Sequence, residues 1–100
     1  MRFENTVLVS STSLMGYVNA SYDRLIEVFG EPTYDEPSGD GKVDVEWNLE
    51  FRDGTVATIY NWKDYDGGLR CKSDEAYTWH IGGKSRMAVS LVEDVLCSVK

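Results

Sequence analysis

The side chains that could carry out chemistry are few, and His80 comes first because it is the only histidine in the chain. A histidine can act as a general base or bind a metal. A zinc site needs three or four cysteines and histidines at characteristic spacings, whereas Cys71 and Cys97 form no C-x-x-C pair. No G-x-S-x-G sequence singles out a nucleophilic serine. We therefore expect a protein that is not an enzyme, with no metal and no cofactor, and interpret His80 as a strand residue on the second face of a sheet.

A second group of residues could bind an anion at the start of the last predicted helix. The sequence GGKSR resembles the end of a phosphate-binding loop, but the full motif needs a glycine where Thr78 stands. Backbone N–H groups at a helix start, helped by nearby cations, can still bind an anion. The candidate anion-binding residues are Gly82, Gly83, Lys84, Ser85 and Arg86. The alternative is that the two glycines only form a tight turn.

The loop after the predicted hairpin resembles part of a calcium-binding loop. Asp64, Asp66 and Glu75 occupy its first, third and twelfth positions. Its fifth position is Gly68, which offers no side-chain oxygen, and its sixth, which requires glycine, is Leu69. We therefore expect no calcium site.

Negative charge is concentrated in one part of the chain. The net charge is −7, and between Glu31 and Glu50 seven acidic residues accompany only Lys42, so this segment carries −6. Nucleic-acid binding depends largely on lysine and arginine at phosphates, so we expect no direct binding of nucleic acid. We expect a partner protein with a basic surface, the alternative being that the acidity only keeps the protein in solution.

The segment from Val43 to Lys63 predicts a β-hairpin. Apolar and polar residues alternate strictly up to Asp53-Gly54, which can form a two-residue type I′ turn. That turn would pair Phe51 with Val56 and Trp47 with Tyr60. It predicts one apolar, aromatic face covered by the rest of the chain.

In this register the opposite hairpin face is open and acidic, with a small apolar centre. An exposed sheet face of this kind is typical of protein-binding surfaces. The aromatic side chains Trp47, Tyr60 and Trp62 are interpreted as core, and a stacking surface is the alternative. The predicted partner-binding residues are Asp40, Asp44, Glu46, Glu50 and Ile59.

The remaining segments predict the order β-α-β-β-β-α over residues 1–100. Ser21 reads as the cap of a first helix that ends at Gly30, and Ser85 as the cap of a second. An alternating run from Ala76 to Gly82 predicts the last strand. We therefore predict a single α+β domain, a two-layer sandwich with an antiparallel sheet of three to four strands and two helices on one face.

The chain contains no apolar run of the length that a membrane span requires, and its first residues lack the apolar stretch of a signal peptide. We therefore expect no membrane association and a cytoplasmic location. There, free thiols at Cys71 and Cys97 are favoured over a disulfide, which stays open as the alternative. The sequence leaves the oligomeric state open.

Three segments resemble small accessory proteins encoded by bacteriophages. They are the FGEP that ends the first helix, DGTVATIYNWK from Asp53 to Lys63, and WHIGG from Trp79 to Gly83. The resemblance spans residues 14 to 97 and implies the cytoplasm of a host cell. The predicted fold is also similar to small modules of periplasmic assembly factors and lactamase-inhibitor proteins, which bind proteins.

Together these features favour a non-enzymatic phage accessory protein that binds and inhibits a host protein. The role would be host takeover or anti-defence activity, which includes an anti-CRISPR role. The alternative is a protein that binds and sequesters a small ligand or nucleotide at the Gly82–Arg86 turn. A weaker alternative is acidic mimicry of DNA, for which a local charge of −6 is small.

Overall fold

A computed structural model describes residues 3–5, 12–39, 41–73 and 75–98. Its strands form one antiparallel sheet in the order β1-β3-β4-β5-β2. This confirms the α+β two-layer prediction and adds a short edge strand, β1, beside β3. The elements in chain order are β1 (Phe3–Asn5), β2 (Ser13–Ala20), α1 (Tyr22–Phe29), β3 (Glu46–Phe51), β4 (Val56–Tyr60), β5 (Tyr77–Gly83) and α2 (Met87–Ser98).

Helix α1 begins and ends where the sequence predicts. The Ser21 hydroxyl accepts a hydrogen bond from the Arg24 backbone N–H at 3.1 Å. At the other end Gly30 has a φ of 83° and its N–H bonds to the Ile26 carbonyl. Arg24 also donates to the Leu96 carbonyl of α2 at 2.9 Å, so the two helices lie together on one face of the sheet.

Two buried tryptophans hold α1 against the sheet. The Trp47 indole donates to the Gly30 carbonyl and the Trp79 indole donates to the Ala20 carbonyl, each at 2.9 Å. Their rings meet edge to face, with centroids 5.4 Å apart. Both ends of α1 are therefore fixed by side chains of the core.

Helix α2 packs close to the sheet because the residue below it is a glycine. A Cβ atom on Gly83 would lie 2.5 Å from the Ala88 methyl group. Ala88 is buried together with the other apolar residues of the α2 stripe, Leu91, Val92 and Val95. Neither helix in the described part of the chain is long and apolar enough to cross a membrane.

The hairpin between β3 and β4 has a three-residue loop, so the predicted two-residue turn is wrong. The Phe51 carbonyl accepts from the Gly54 N–H at 2.9 Å, and the Phe51 N–H donates to the Thr55 carbonyl at 2.8 Å. Gly54 has a φ of 88°, as the last residue of such a loop requires. The Asp53 carboxylate accepts from the Thr55 N–H, and this bond lowers the pKa of Asp53.

The longer loop shifts the register by one residue. Trp47 pairs with Ile59 and Glu46 pairs with Tyr60. A shift of one residue sends every side chain of a strand to the other face. Ile59 and Ala57 are therefore fully buried in the core, whereas Tyr60 and Trp62 lie on the second face. The predictions that Ile59 is exposed and that Tyr60 and Trp62 belong to the core are both wrong.

Asn61 continues the pairing of β3 and β4 beyond the end of β4. Its side-chain oxygen accepts from the backbone N–H groups of Asp44 and Val45, at 2.7 and 3.0 Å. Its amide nitrogen donates to the Asp44 carboxylate at 2.9 Å. Asn61 is fully buried, so these bonds satisfy groups that water does not reach.

We predict that Gly54→Ala lowers the free energy of unfolding by about 1 kcal/mol, because an L-residue is strained at this positive φ. Gly39→Ala is the matched control, since Gly39 lies in an exposed loop, lacks a positive φ and has open space around it. Urea unfolding measures both variants. Equal losses in the two variants would contradict the three-residue loop.

We predict that Asn61→Ala lowers the free energy of unfolding by about 2–4 kcal/mol, since two buried N–H groups and a buried carboxylate lose their partner. Asn19→Ala is the control, because Asn19 on β2 is exposed and, among the described residues, accepts one side-chain hydrogen bond, from the Thr78 hydroxyl. Its expected change is within about 0.5 kcal/mol. A small change for Asn61→Ala in the same urea titration would show that the bonds at Asp44 and Val45 contribute little.

Candidate functional site

The structure does not bring the predicted partner-binding residues together on an exposed surface. Ile59 is fully buried and Asp44 is 3% exposed, held by Asn61. Glu46 and Glu50 are half-buried on β3, and Asp40 lies outside the described residues. The prediction of an exposed acidic surface with an apolar centre is wrong, because it assumed the register of the two-residue turn.

The predicted anion-binding residues divide into two groups. Gly82 and Gly83 are buried in β5, where they allow close packing and form no turn, so the tight-turn alternative is wrong. Lys84, Ser85 and Arg86 are exposed. The Ser85 hydroxyl accepts from the Met87 N–H at 3.3 Å and so caps α2. Anion binding at this helix start remains a prediction.

Instead, a row of side chains crosses four strands on the second face of the sheet. Glu46 on β3 pairs with Tyr60 on β4, Tyr60 pairs with His80 on β5, and His80 pairs with Tyr17 on β2. Directly paired residues point to the same face. The predicted position of His80 on this face is confirmed, but its neighbours differ from those that the sequence suggested.

The rings of this row and of Trp62 form one aromatic cluster. The His80 ring centroid lies 4.9 Å from that of Tyr17, 5.5 Å from that of Tyr60 and 6.2 Å from that of Trp62. Tyr17 is 53% exposed and Trp62 is 38% exposed. The cluster therefore presents ring surface to solvent.

A hollow of about 320 Å³ lies beside this cluster. Its floor includes Gly82, where a Cβ atom would lie 2.5 Å from the Thr58 hydroxyl oxygen and 3.5 Å from the Tyr60 ring. A side chain at this position would collide with Thr58, so the glycine allows β5 to pack closely against β4 beside the hollow. The lining residues are Thr12, Ser13, Val43, Glu46, Thr58, Tyr60, Trp62 and Gly82.

A second hollow, of about 640 Å³, adjoins the first at Val43 and Glu46. Its other walls come from the loop of residues 32–38. Tyr34 of this loop forms an antiparallel bridge with Glu46, which holds the loop beside β3. Glu46 therefore contributes to the lining of both concave surfaces.

Burial changes the ionisation of the side chains in the row. It raises the pKa of the Glu46 carboxyl and also that of Tyr60, which the nearby Glu46 and Tyr17 raise further. Burial lowers the pKa of His80, and Asp64 opposes this change. The lowered pKa favours the neutral form of His80, whose buried Nδ1 atom has no hydrogen-bond partner among the residues described.

Two lysines lie over the exposed end of the cluster. The Lys63 ammonium is 5.5 Å from the Trp62 ring centroid and the Lys42 ammonium is 5.9 Å from it. The backbones of the two residues are joined, because the Lys63 N–H donates to the Lys42 carbonyl. Lys63 has a φ of 57°, which is uncommon outside glycine, asparagine and aspartate. Strained residues of this kind often lie at functional sites.

Within the described ranges, no three His, Cys, Asp or Glu residues come together as metal ligands. Both cysteines are free, and the buried thiol of Cys71 has a pKa raised to about 12, mainly by burial. What the site offers is ring surface, a carboxyl group and two ammonium groups.

No protein-family model, curated protein or solved structure matches this chain. The resemblance to phage accessory proteins therefore stays a prediction.

We predict that the Glu46 carboxyl titrates above the ordinary glutamate value of about 4.3 when followed by carbon NMR of the side chain. Since folding raises this pKa, the contribution of Glu46 to stability is present at acid pH and is lost as pH rises through the raised value. Glu46→Gln should therefore stabilise the fold more at pH 7 than at pH 3.5. A midpoint at or below that of a free glutamate would contradict the buried position of this side chain.

Proposed function

We propose that this protein is a non-enzymatic binding protein that sequesters a small organic ligand in the hollow beside its aromatic cluster. The observation that carries the proposal is that Glu46 and Tyr60 of the row line one concave surface together with Trp62. Ligand sites commonly combine an apolar concave surface with a few polar groups that fix orientation. Here the Tyr60 and Trp62 rings provide apolar surface and Glu46 provides a polar group.

The size of the site supports a small ligand. The hollow at Gly82 is close to the lower limit for pockets that bind small molecules, which is about 300 Å³. The adjoining hollow at Glu46 offers room for a larger substituent. By contrast, the predicted surface for a basic partner protein does not have Ile59 as its apolar centre, because Ile59 is buried in the core.

A second candidate function is the binding and inhibition of a host protein by a phage accessory protein, with the same face as the contact surface. The exposure of Tyr17 and Trp62 supports it, because aromatic side chains often dominate the energy of protein interfaces. Leu14, which is 47% exposed on the same strand as Tyr17, would extend the apolar contact. The host-takeover and anti-defence roles belong to this candidate.

To test the first candidate, purified protein is incubated with a deproteinated bacterial extract, re-isolated and heated, and the released molecules are identified by mass spectrometry. We expect one small molecule to be retained by the wild type and lost from Trp62→Ala. Tyr65→Asn is the matched control, because Tyr65 is an exposed aromatic residue outside the lining of the hollow. Circular dichroism verifies that each variant is folded.

Release of no small molecule from folded wild-type protein would contradict sequestration. A whole-lysate pull-down with the same three proteins then tests the second candidate. A host protein that is retained by the wild type and by Tyr65→Asn but lost from Trp62→Ala would support it. Equal retention by all three would show that the contact lies elsewhere on the molecule.

A further inference from the structure

On the basis of the proposed function, we propose that the ligand is a nucleotide with a guanine base. Its base would stack in the aromatic cluster with its N–H edge on Glu46, and its phosphate would bind Lys42 and Lys63. Rings and a glutamate line the hollow, and two ammonium groups lie near the Trp62 ring that forms part of its lining.

The rings provide a surface for a planar base. Tyr60 and Trp62 both line the hollow, and their rings are perpendicular, with centroids 6.1 Å apart. Stacking of a base on an aromatic side chain contributes about 1–3 kcal/mol and requires no particular base. The hollow that these rings line has a volume of about 320 Å³. The rings therefore explain why a flat ligand would bind, and the choice of base must come from the polar groups.

Glu46 is placed to make that choice. It pairs with Tyr60 across the sheet and lines the same hollow, so its carboxyl reaches the edge of a base that lies on the Tyr60 ring. A carboxylate has two oxygens that only accept hydrogen bonds when ionised. Guanine presents two neighbouring N–H donors on one edge, which matches both oxygens. The other bases present fewer adjacent donors, so we expect guanine to be preferred.

Lys42 and Lys63 provide the site for a phosphate at the Trp62 end. Both ammonium groups lie within 6 Å of the Trp62 ring centroid. Lys42 is the only basic residue between Glu31 and Glu50, in the most acidic part of the chain. Positive charge at Trp62 and negative charge at Glu46 complement the two ends of a nucleotide, which carries donors on its base and anionic oxygens on its phosphate.

The test is calorimetric titration of the full chain with GMP, AMP, CMP, UMP and guanosine. We expect GMP to bind most tightly and guanosine more weakly. Glu46→Gln should weaken GMP binding by about tenfold or more, as loss of a charge-assisted hydrogen bond implies. The double variant Lys42→Gln/Lys63→Gln should reduce GMP affinity to that of guanosine for the wild type.

Lys84→Gln/Arg86→Gln is the matched control, because it removes the same charge at the other predicted anion site. We expect its affinity for GMP to be unchanged, whereas a loss in this variant alone would place the phosphate at the start of α2 and overturn the proposed orientation. No saturable binding of any of the four nucleotides would overturn the inference. Sequestration would still stand if the extract experiment releases a molecule that is not a nucleotide.

Discussion

Two hydrogen bonds of Phe51, one to Gly54 and one to Thr55, set the arrangement on which the rest of the structure depends. They close a three-residue loop and so decide which residues of β4 oppose those of β3. Ile59 and Ala57 then enter the core beside Trp47, and the large core rings can fix both ends of α1. The same bonds turn Tyr60 to the second face, where it meets His80.

The second face contains several features that work against stability. Glu46 is partly buried with a raised pKa, Lys63 has a positive φ, and the buried Nδ1 atom of His80 has no hydrogen-bond partner among the residues described. Each of these is costly in a protein whose total stability is about 5–15 kcal/mol. They lie together around one hollow and one aromatic ring, Trp62. A binding site explains this grouping, since pre-arranged polar and strained groups are common where ligands bind.

The sequence predicts the fold well because helix caps and apolar periodicity are local signals. Ser21, Gly30 and the stripe of α2 all act as predicted. The site was not predictable in the same way, since Asp53-Gly54 suits both a two-residue and a three-residue loop. Both faces of β4 contain apolar side chains, so hydrophobicity does not choose the register. The cross-strand row from Glu46 to Tyr17 follows only once that register is known.

The most direct test is therefore a nuclear Overhauser measurement between the Hα atoms of β3 and β4. In antiparallel strands, residues of non-hydrogen-bonded pairs have Cα atoms about 4.5 Å apart, and their Hα atoms give strong signals. The register set by the three-residue loop predicts such signals between Asn48 and Thr58 and between Glu46 and Tyr60. Signals between Leu49 and Thr58 and between Trp47 and Tyr60 instead would restore the two-residue turn. In that register Tyr60 would lie in the core, and the aromatic cluster on the second face would not form.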